Sequence, residues 1–324
     1  MTLLFFGSSD FSLAALRACL DLSAKILLVI TTPDRRKGRG LKESPNPVKR
    51  FAERRNISVL APENLKSNEL IERVVPFKPD LFVVSSYGKM IPSSWLAIPS
   101  KLALNVHPSL LPKYRGAAPI NWAILNGEPE TGVSIAEVTG EIDQGDIFYQ
   151  KKIPLEDSFD AQSLTQKLAD LSYEALASVL KTIRENKEAA RTKQDHALSS
   201  YAPKLKKEDG LIDWKKSAVD LFNLIRGLQP WPGAYAGAGS EQIQILKASV
   251  KDRSEAPGQC DAGTVLSIEK QGILRVQTGK GVLDIERVRP AGRKEMSGAD
   301  FARGKRLQPG FLFTVSSRLP GAGS

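Results

Sequence analysis

Cysteine and histidine are almost missing from this chain, with two of each in 324 residues. Cys19 and Cys260 stand far apart, which argues against a disulfide framework and fits a reducing cytoplasm. With His107 and His196 the only histidines, there is little material for a His/Cys zinc cage. No long apolar run occurs, so no membrane span is expected. The first residues, MTLLFFGSSDF, carry no basic leader and read as a strand rather than a signal peptide. The βαβ opening also lacks G-x-G-x-x-G, so a dinucleotide fingerprint is not supported. Negative charge is the minority sign: 36 Asp and Glu against 46 Lys and Arg leave a net charge of +10. That excess suits a polyanionic partner, although plain solubility also accounts for it.

What the chain does have is a singular stretch at residues 102–121, LALNVHPSLLPKYRGAAPIN. It opens as an apolar strand over 102–106, which Pro108 ends because proline cannot donate to a ladder. Pro119 suits the first turn of a helix, where a missing N–H costs nothing. Asn105 and His107 are two residues apart and so share a strand face. They sit at the strand's C-terminal end, the edge of a parallel α/β sheet where ligands bind. An amide donor beside a side chain that titrates near neutrality suits a reaction in which a carbonyl oxygen gains charge and a proton moves. On composition alone, a histidine that merely plugs a loop is the competing reading.

The length suggests two domains. Short apolar strands at 2–6, 25–31 and 81–85 alternate with helices, which makes the first domain α/β. Leu13, Leu16 and Leu20 predict the buried stripe of the first helix. Residues 33–47, PDRRKGRGLKESPNP, read as a long loop crowded with Arg35, Arg36, Lys37, Arg39 and Lys42. Such a loop can grip phosphates; a solvated insert is the alternative. Leu164, Leu168, Leu171, Ala175, Val179 and Ile183 mark a helix over 163–185, with Ser163 as its cap. Residues 187–206 are polar and basic and read as an interdomain linker, with His196 facing solvent and chemically idle. Strands at 242–248, 263–268, 273–278 and 281–288 suggest a small β-barrel in a second domain of 207–314. Residues 315–324 read as a disordered tail.

The motif N-x-HPSLLP-x-YRGAAPI resembles the signature of the formyltetrahydrofolate-dependent formyltransferases. DG-x-IDW at 209–214 and PWPGAY at 230–235 are similar to the C-terminal domain of that family's tRNA-directed members. The resemblance implies a Rossmann-like formyltransferase domain over 1–186 and an OB-like, tRNA-binding barrel over 207–314. It implies a cytoplasmic monomer that moves a formyl group from N10-formyltetrahydrofolate, a co-substrate, to the amino group of initiator methionyl-tRNA, without a metal. It assigns catalysis to Asn105, His107 and Asp143, the last in the turn TGEIDQGD at 139–146. Glu141 and Gln144 depart from that family's usual turn, which puts its backbone in question. The pterin pocket falls on Tyr87, Gly88, Met90 and Ile91, with Ser109, Leu110, Leu111 and Pro112. The basic loop would enter the tRNA acceptor stem, with Arg39 the best match to the family's key arginine. Asn105 would donate to the forming oxyanion, and His107 would either stabilise it or take the amine's proton. Asp143 would orient the imidazole, favour its charged form or hold a proton-shuttling water. A formyltransferase for another acceptor, a hydrolase releasing formate, and a non-catalytic tRNA-binding protein are the rivals. The C-terminal motifs argue against the first two, and the complete Asn/His/Asp set against the third.

Overall fold

The computed structural model of the chain describes residues 1–37, 42–44, 46–185, 187, 189–251 and 260–314, with the backbone only at 35–37 and 42–44. The chain forms two compact units. The first takes Met1–Pro119, Glu130–Pro154 and Leu164–Pro203, and the second takes Ile120–Pro129, Leu155–Ser163 and the chain from Lys204 on.

The first unit is built on seven strands: β1 (Thr2–Gly7), β2 (Lys25–Ile30), β3 (Val59–Leu60), β4 (Leu81–Ser85), β5 (Leu102–His107), β6 (Glu130–Glu137) and β7 (Ile147–Pro154). Their order is β7-β6-β5-β4-β1-β2-β3. The first five run parallel, whereas β6 lies antiparallel to both β5 and β7. Continuous apolar runs such as TLLFFG and LFVVS suit strands covered on both faces. The chain leaves β1 toward β2 and β3, then returns to the other side of β1 as β4. The strand order therefore reverses between β1 and β4, and in such sheets ligands bind beyond the carboxyl ends at this point. Gly7, Ser85 and His107 end their strands on that one edge.

Three local expectations need correction. The helix Asp10–Asp21 buries Phe11, Ser12, Ala15, Leu16, Ala18 and Cys19, while Leu13 and Leu20 are only half-buried. The small residues let the helix approach the sheet closely, and burial pushes the Cys19 thiol well above its ordinary range. The long helix spans Ala161–Arg184 and buries its expected stripe, but Asp160 caps it. Asp160 Oδ1 accepts from Ser163 N at 2.7 Å, and Ser163 Oγ accepts from Asp160 N at 3.0 Å, a reciprocal box. The stretch read as a linker is pinned: Thr192 and Ile147 exchange backbone bonds of 2.8 and 2.9 Å, and Tyr201–Ala202 pairs with Arg115–Gly116.

The basic segment is also more regular than a loop, because Arg35–Lys37 pairs antiparallel with Lys42–Ser44. Arg39 lies outside the described residues. Asn46 fixes the base of this ribbon at the end of β2. Its Nδ2 donates to Thr31 Oγ1 (2.8 Å) and Thr32 O (2.9 Å), and its Oδ1 accepts from Lys49 N (2.9 Å) as a helix cap. The ribbon thus leaves the same sheet edge that carries Asn105 and His107.

The second unit is an antiparallel sheet of β8 (Ala234–Ala238), β9 (Glu241–Ser249), β10 (Val265–Ile268), β11 (Leu274–Gln277) and β12 (Val282–Pro290), in the order β8-β9-β12-β11-β10. Residues 310–314 bond to both edges. Val265 N donates to Phe311 O at 2.8 Å and Gly237 N to Thr314 O at 2.9 Å, which closes the barrel. Trp214, from the IDW motif, stacks on Phe313 inside it. β8 went unread because AYAGA has little intrinsic strand preference. Among the described residues no helix is long and apolar enough to cross a membrane. The tail at 315–324 lies outside the described residues.

Asn46→Ala should lower stability by about 1–2 kcal/mol, read as a lower urea midpoint at unchanged slope. An unchanged midpoint would contradict this anchoring of the ribbon.

Candidate active site

β5 delivers Asn105 and His107 to the sheet edge two residues apart, and the turn after β6 brings Asp143 to both. Asn105 Nδ2 donates to Asp143 Oδ1 at 2.8 Å. Asp143 Oδ2 accepts from Gly116 N at 2.8 Å and lies 3.6 Å from His107 Nδ1. His107, only 4% exposed, has its Nε2 2.9 Å from the Tyr114 carbonyl oxygen. A carbonyl can only accept, so Nε2 carries the hydrogen and Nδ1 is the nitrogen that meets the carboxylate. The 3.6 Å gap is longer than a hydrogen bond and short enough for a direct charge contact once the ring is protonated. Ring and carboxylate therefore face each other.

The loop after β5 is held from beneath by β6 and β7. Ser134 Oγ donates to Ser109 O (2.6 Å) and accepts from Leu111 N (3.0 Å). Gln150 Nε2 donates to Leu111 O and to Ser134 Oγ, each at 2.8 Å. Ser109 Oγ donates to Lys113 O at 2.7 Å. Ser109 and Leu111 are buried by these contacts, and Leu110 and Pro112 are half-buried.

The Asp143 turn tolerates its unusual residues. Glu141 is exposed, its φ is not positive, and its N–H and carbonyl both bond to the Thr139 hydroxyl. Asp143 itself takes the left-handed conformation, φ +53°.

The stretch after β4 splits in two. Tyr87 and Ile91 are core residues, whereas Met90 is 65% exposed and Gly88, at φ +79°, faces open space. Burial pushes the Tyr87 hydroxyl up to about 12, so it stays neutral. The Tyr87 and Ser85 hydroxyls are both buried and without a hydrogen-bond partner among the described residues.

Sequence reasoning missed Gln194 and the contact role of Arg115. Both are buried, and both meet beside the Asp143 turn. Gln194 carries no periodic or motif signal in its polar stretch. His196 is exposed as expected, yet its Nδ1 lies 3.3 Å from Arg115 Nη2.

This geometry occurs in a chain whose residues 1–180 match the formyl transferase model and whose residues 204–306 match the formyl transferase C-terminal domain. The chain belongs to the formyl transferase family. It is 41% identical over 310 residues to the methionyl-tRNA formyltransferase of Geobacter metallireducens, covering 96% of this chain and 97% of that protein. The methionyl-tRNA formyltransferase of Caldanaerobacter subterraneus is 38% identical over 313 residues, with 96% and 99% covered. Among solved formyl transferases, the N-formyltransferase of Helicobacter canadensis, in complex with folinic acid and dTDP-3-aminofucose, has a TM-score of 0.68 at 20% identity. That match covers 87% of this chain and 97% of that one. The sugar 3N-formyl transferase WlaRD scores 0.67 at 19% identity, with 91% and 99% covered. At these identities the two structures share the fold alone.

Gly116, whose N–H holds Asp143, has no room for a side chain. At φ +114° an added Cβ would meet the Tyr201 ring at 2.7 Å and Ala202 O at 2.8 Å. Gly116→Ala should destabilise the fold by about 1–3 kcal/mol and slow formyl transfer, because it moves the N–H that holds Asp143. Wild-type melting and turnover would contradict the placement.

Proposed function

We propose that this chain transfers the formyl group of N10-formyltetrahydrofolate to the amino group of initiator methionyl-tRNA. The observation that carries the reading is the convergence of Asn105, His107 and Gly116 N–H on one carboxylate, Asp143. An amine must attack a formamide-like carbon, a poor electrophile whose oxygen gains negative charge. Asn105 spends one amide N–H on Asp143 and keeps the second for that oxygen. His107 has its Nε2 committed to Tyr114, so Nδ1 is its nitrogen for proton traffic. Held by the chain but not hydrogen-bonded to Asp143, Nδ1 can take the amine's proton, with the carboxylate facing the imidazolium that results. As the adduct collapses the carbon–N10 bond breaks, and the proton passes to N10 of the departing tetrahydrofolate. Asp143 thereby orients one partner and charges the other.

The donor is a second substrate, and Tyr87, Gly88, Met90, Ile91 and Ser109–Pro112 are the residues we assign to it. The ribbon residues Arg35, Arg36, Lys37 and Lys42, together with Arg39 of the same basic stretch of sequence, suit the phosphates of the acceptor, as does the net charge of +10. The barrel adds a second nucleic-acid surface in this reading, and the chain acts as a cytoplasmic monomer. The relatives called methionyl-tRNA formyltransferases support the choice of acceptor, since they align across both domains.

His107→Ala, Asn105→Ala and Asp143→Ala should each lower kcat with methionyl-tRNA by ~10²- to 10⁴-fold while the protein stays folded. Near-normal turnover in all three would remove the assigned site.

A further inference from the structure

The Asp143 side chain is accounted for by Asn105, Gly116 and His107, but its main chain sits at φ +53°. For a residue other than glycine that conformation is uncommon, and the surroundings must hold it. Gln194 supplies the hold. Its Nε2 donates to Asp143 O at 2.9 Å and to Gly145 O at 2.7 Å. Its Oε1 accepts from Arg115 Nε at 3.1 Å and Nη2 at 2.7 Å. The amide can face only one way, since a flip would set its oxygen against two carbonyl oxygens and its NH₂ against a guanidinium. On the far side of the turn, an added Cβ at Gly145 would lie 2.1 Å from Glu137 O, so the turn has no room to retreat.

Arg115 makes the other half of the brace. It is 7% exposed, no carboxylate pairs with it among the described residues, and its guanidinium meets only Gln194 and His196 Nδ1. It directly precedes Gly116, whose N–H binds Asp143 Oδ2. One buried amide therefore joins the main chain of the Asp143 turn to the loop that binds the Asp143 side chain.

We propose that Gln194 is a positioning residue for formyl transfer, holding the Asp143 turn with its amide hydrogens and tying it to the Arg115–Gly116 loop with its amide oxygen. The inference rests on the reading that Asn105, His107 and Asp143 carry the reaction. In this proposal Gln194 acts on the rate through the placement of Asp143, and a shift of about 1 Å in a catalytic group can cost ~10²-fold.

The test is single-turnover formyl transfer by the full chain from N10-formyltetrahydrofolate to methionyl-tRNA. Gln194→Ala and Gln194→Glu are compared in the native and Asp143→Ala backgrounds, with melting curves for each. Glu keeps an oxygen for Arg115 but loses both donors and faces two carbonyls with negative charge. Both substitutions should lower the rate by about 10- to 100-fold in the native background. The Glu variant should melt no lower than the Ala variant. In the Asp143→Ala background either substitution should cost no more than about twofold, because the group it positions is gone. Equal losses in both backgrounds, or a native rate for Gln194→Glu, would overturn the proposal. A native rate for Asp143→Ala alone would instead overturn the underlying assignment of the site, and the single variant reports that separately.

Discussion

A carboxylate drawn most of the way out of water must be given hydrogen bonds, since each buried acceptor left unsatisfied costs about 1–3 kcal/mol. Asp143, its side chain 12% exposed, receives them from Asn105 and the Gly116 backbone. The same two oxygens set the pose of an amide that can steady a negative oxygen and of a ring that can move a proton. β5 must end where it does to bring both side chains there. The loop after it must carry a glycine at 116 to turn an N–H inward, and the strap at 201–202 lies where that glycine leaves space. The braces on Ser134, Gln150 and Gln194 serve this one contact set.

In the proposed reading, the sheet brings the two substrates to one place. Parallel strands put β2, β4 and β5 carboxyl ends on one edge. The ribbon's root, the end of β4 and the Asn105–His107 pair therefore share an edge without any long-range device. Asn46 anchors the ribbon through Thr31 and Thr32, so its reach starts from a fixed point.

Much of this was legible in the chain. Apolar runs located β1, β2 and β4, and the spacing of Asn105 and His107 placed them on one strand face. Asp143 was legible only through the family's turn, because an isolated aspartate in a glycine-rich turn reads as a turn former. What escaped depends on contacts between residues far apart in sequence. Gln194 sits in a polar stretch whose composition is that of a linker, and only its burial against Arg115 gives it a role. The ribbon's charge density reads as a loop, although its backbone pairs. The first helix carries two overlapping apolar stripes, and close packing chose the one with alanine and cysteine. β8 has a composition poor in strand formers and is held by β9 and by residues 310–314.

The proposed chemistry divides the two nitrogens of His107, with Nε2 fixed to the chain and Nδ1 left to Asp143 and the reaction. Nitrogen-15 NMR of the histidine-labelled chain reads this directly, with His196 as the only other signal. His107 Nε2 should carry a hydrogen at every pH where the protein is folded. A neutral ring with its hydrogen on Nδ1 and a bare Nε2 would contradict it.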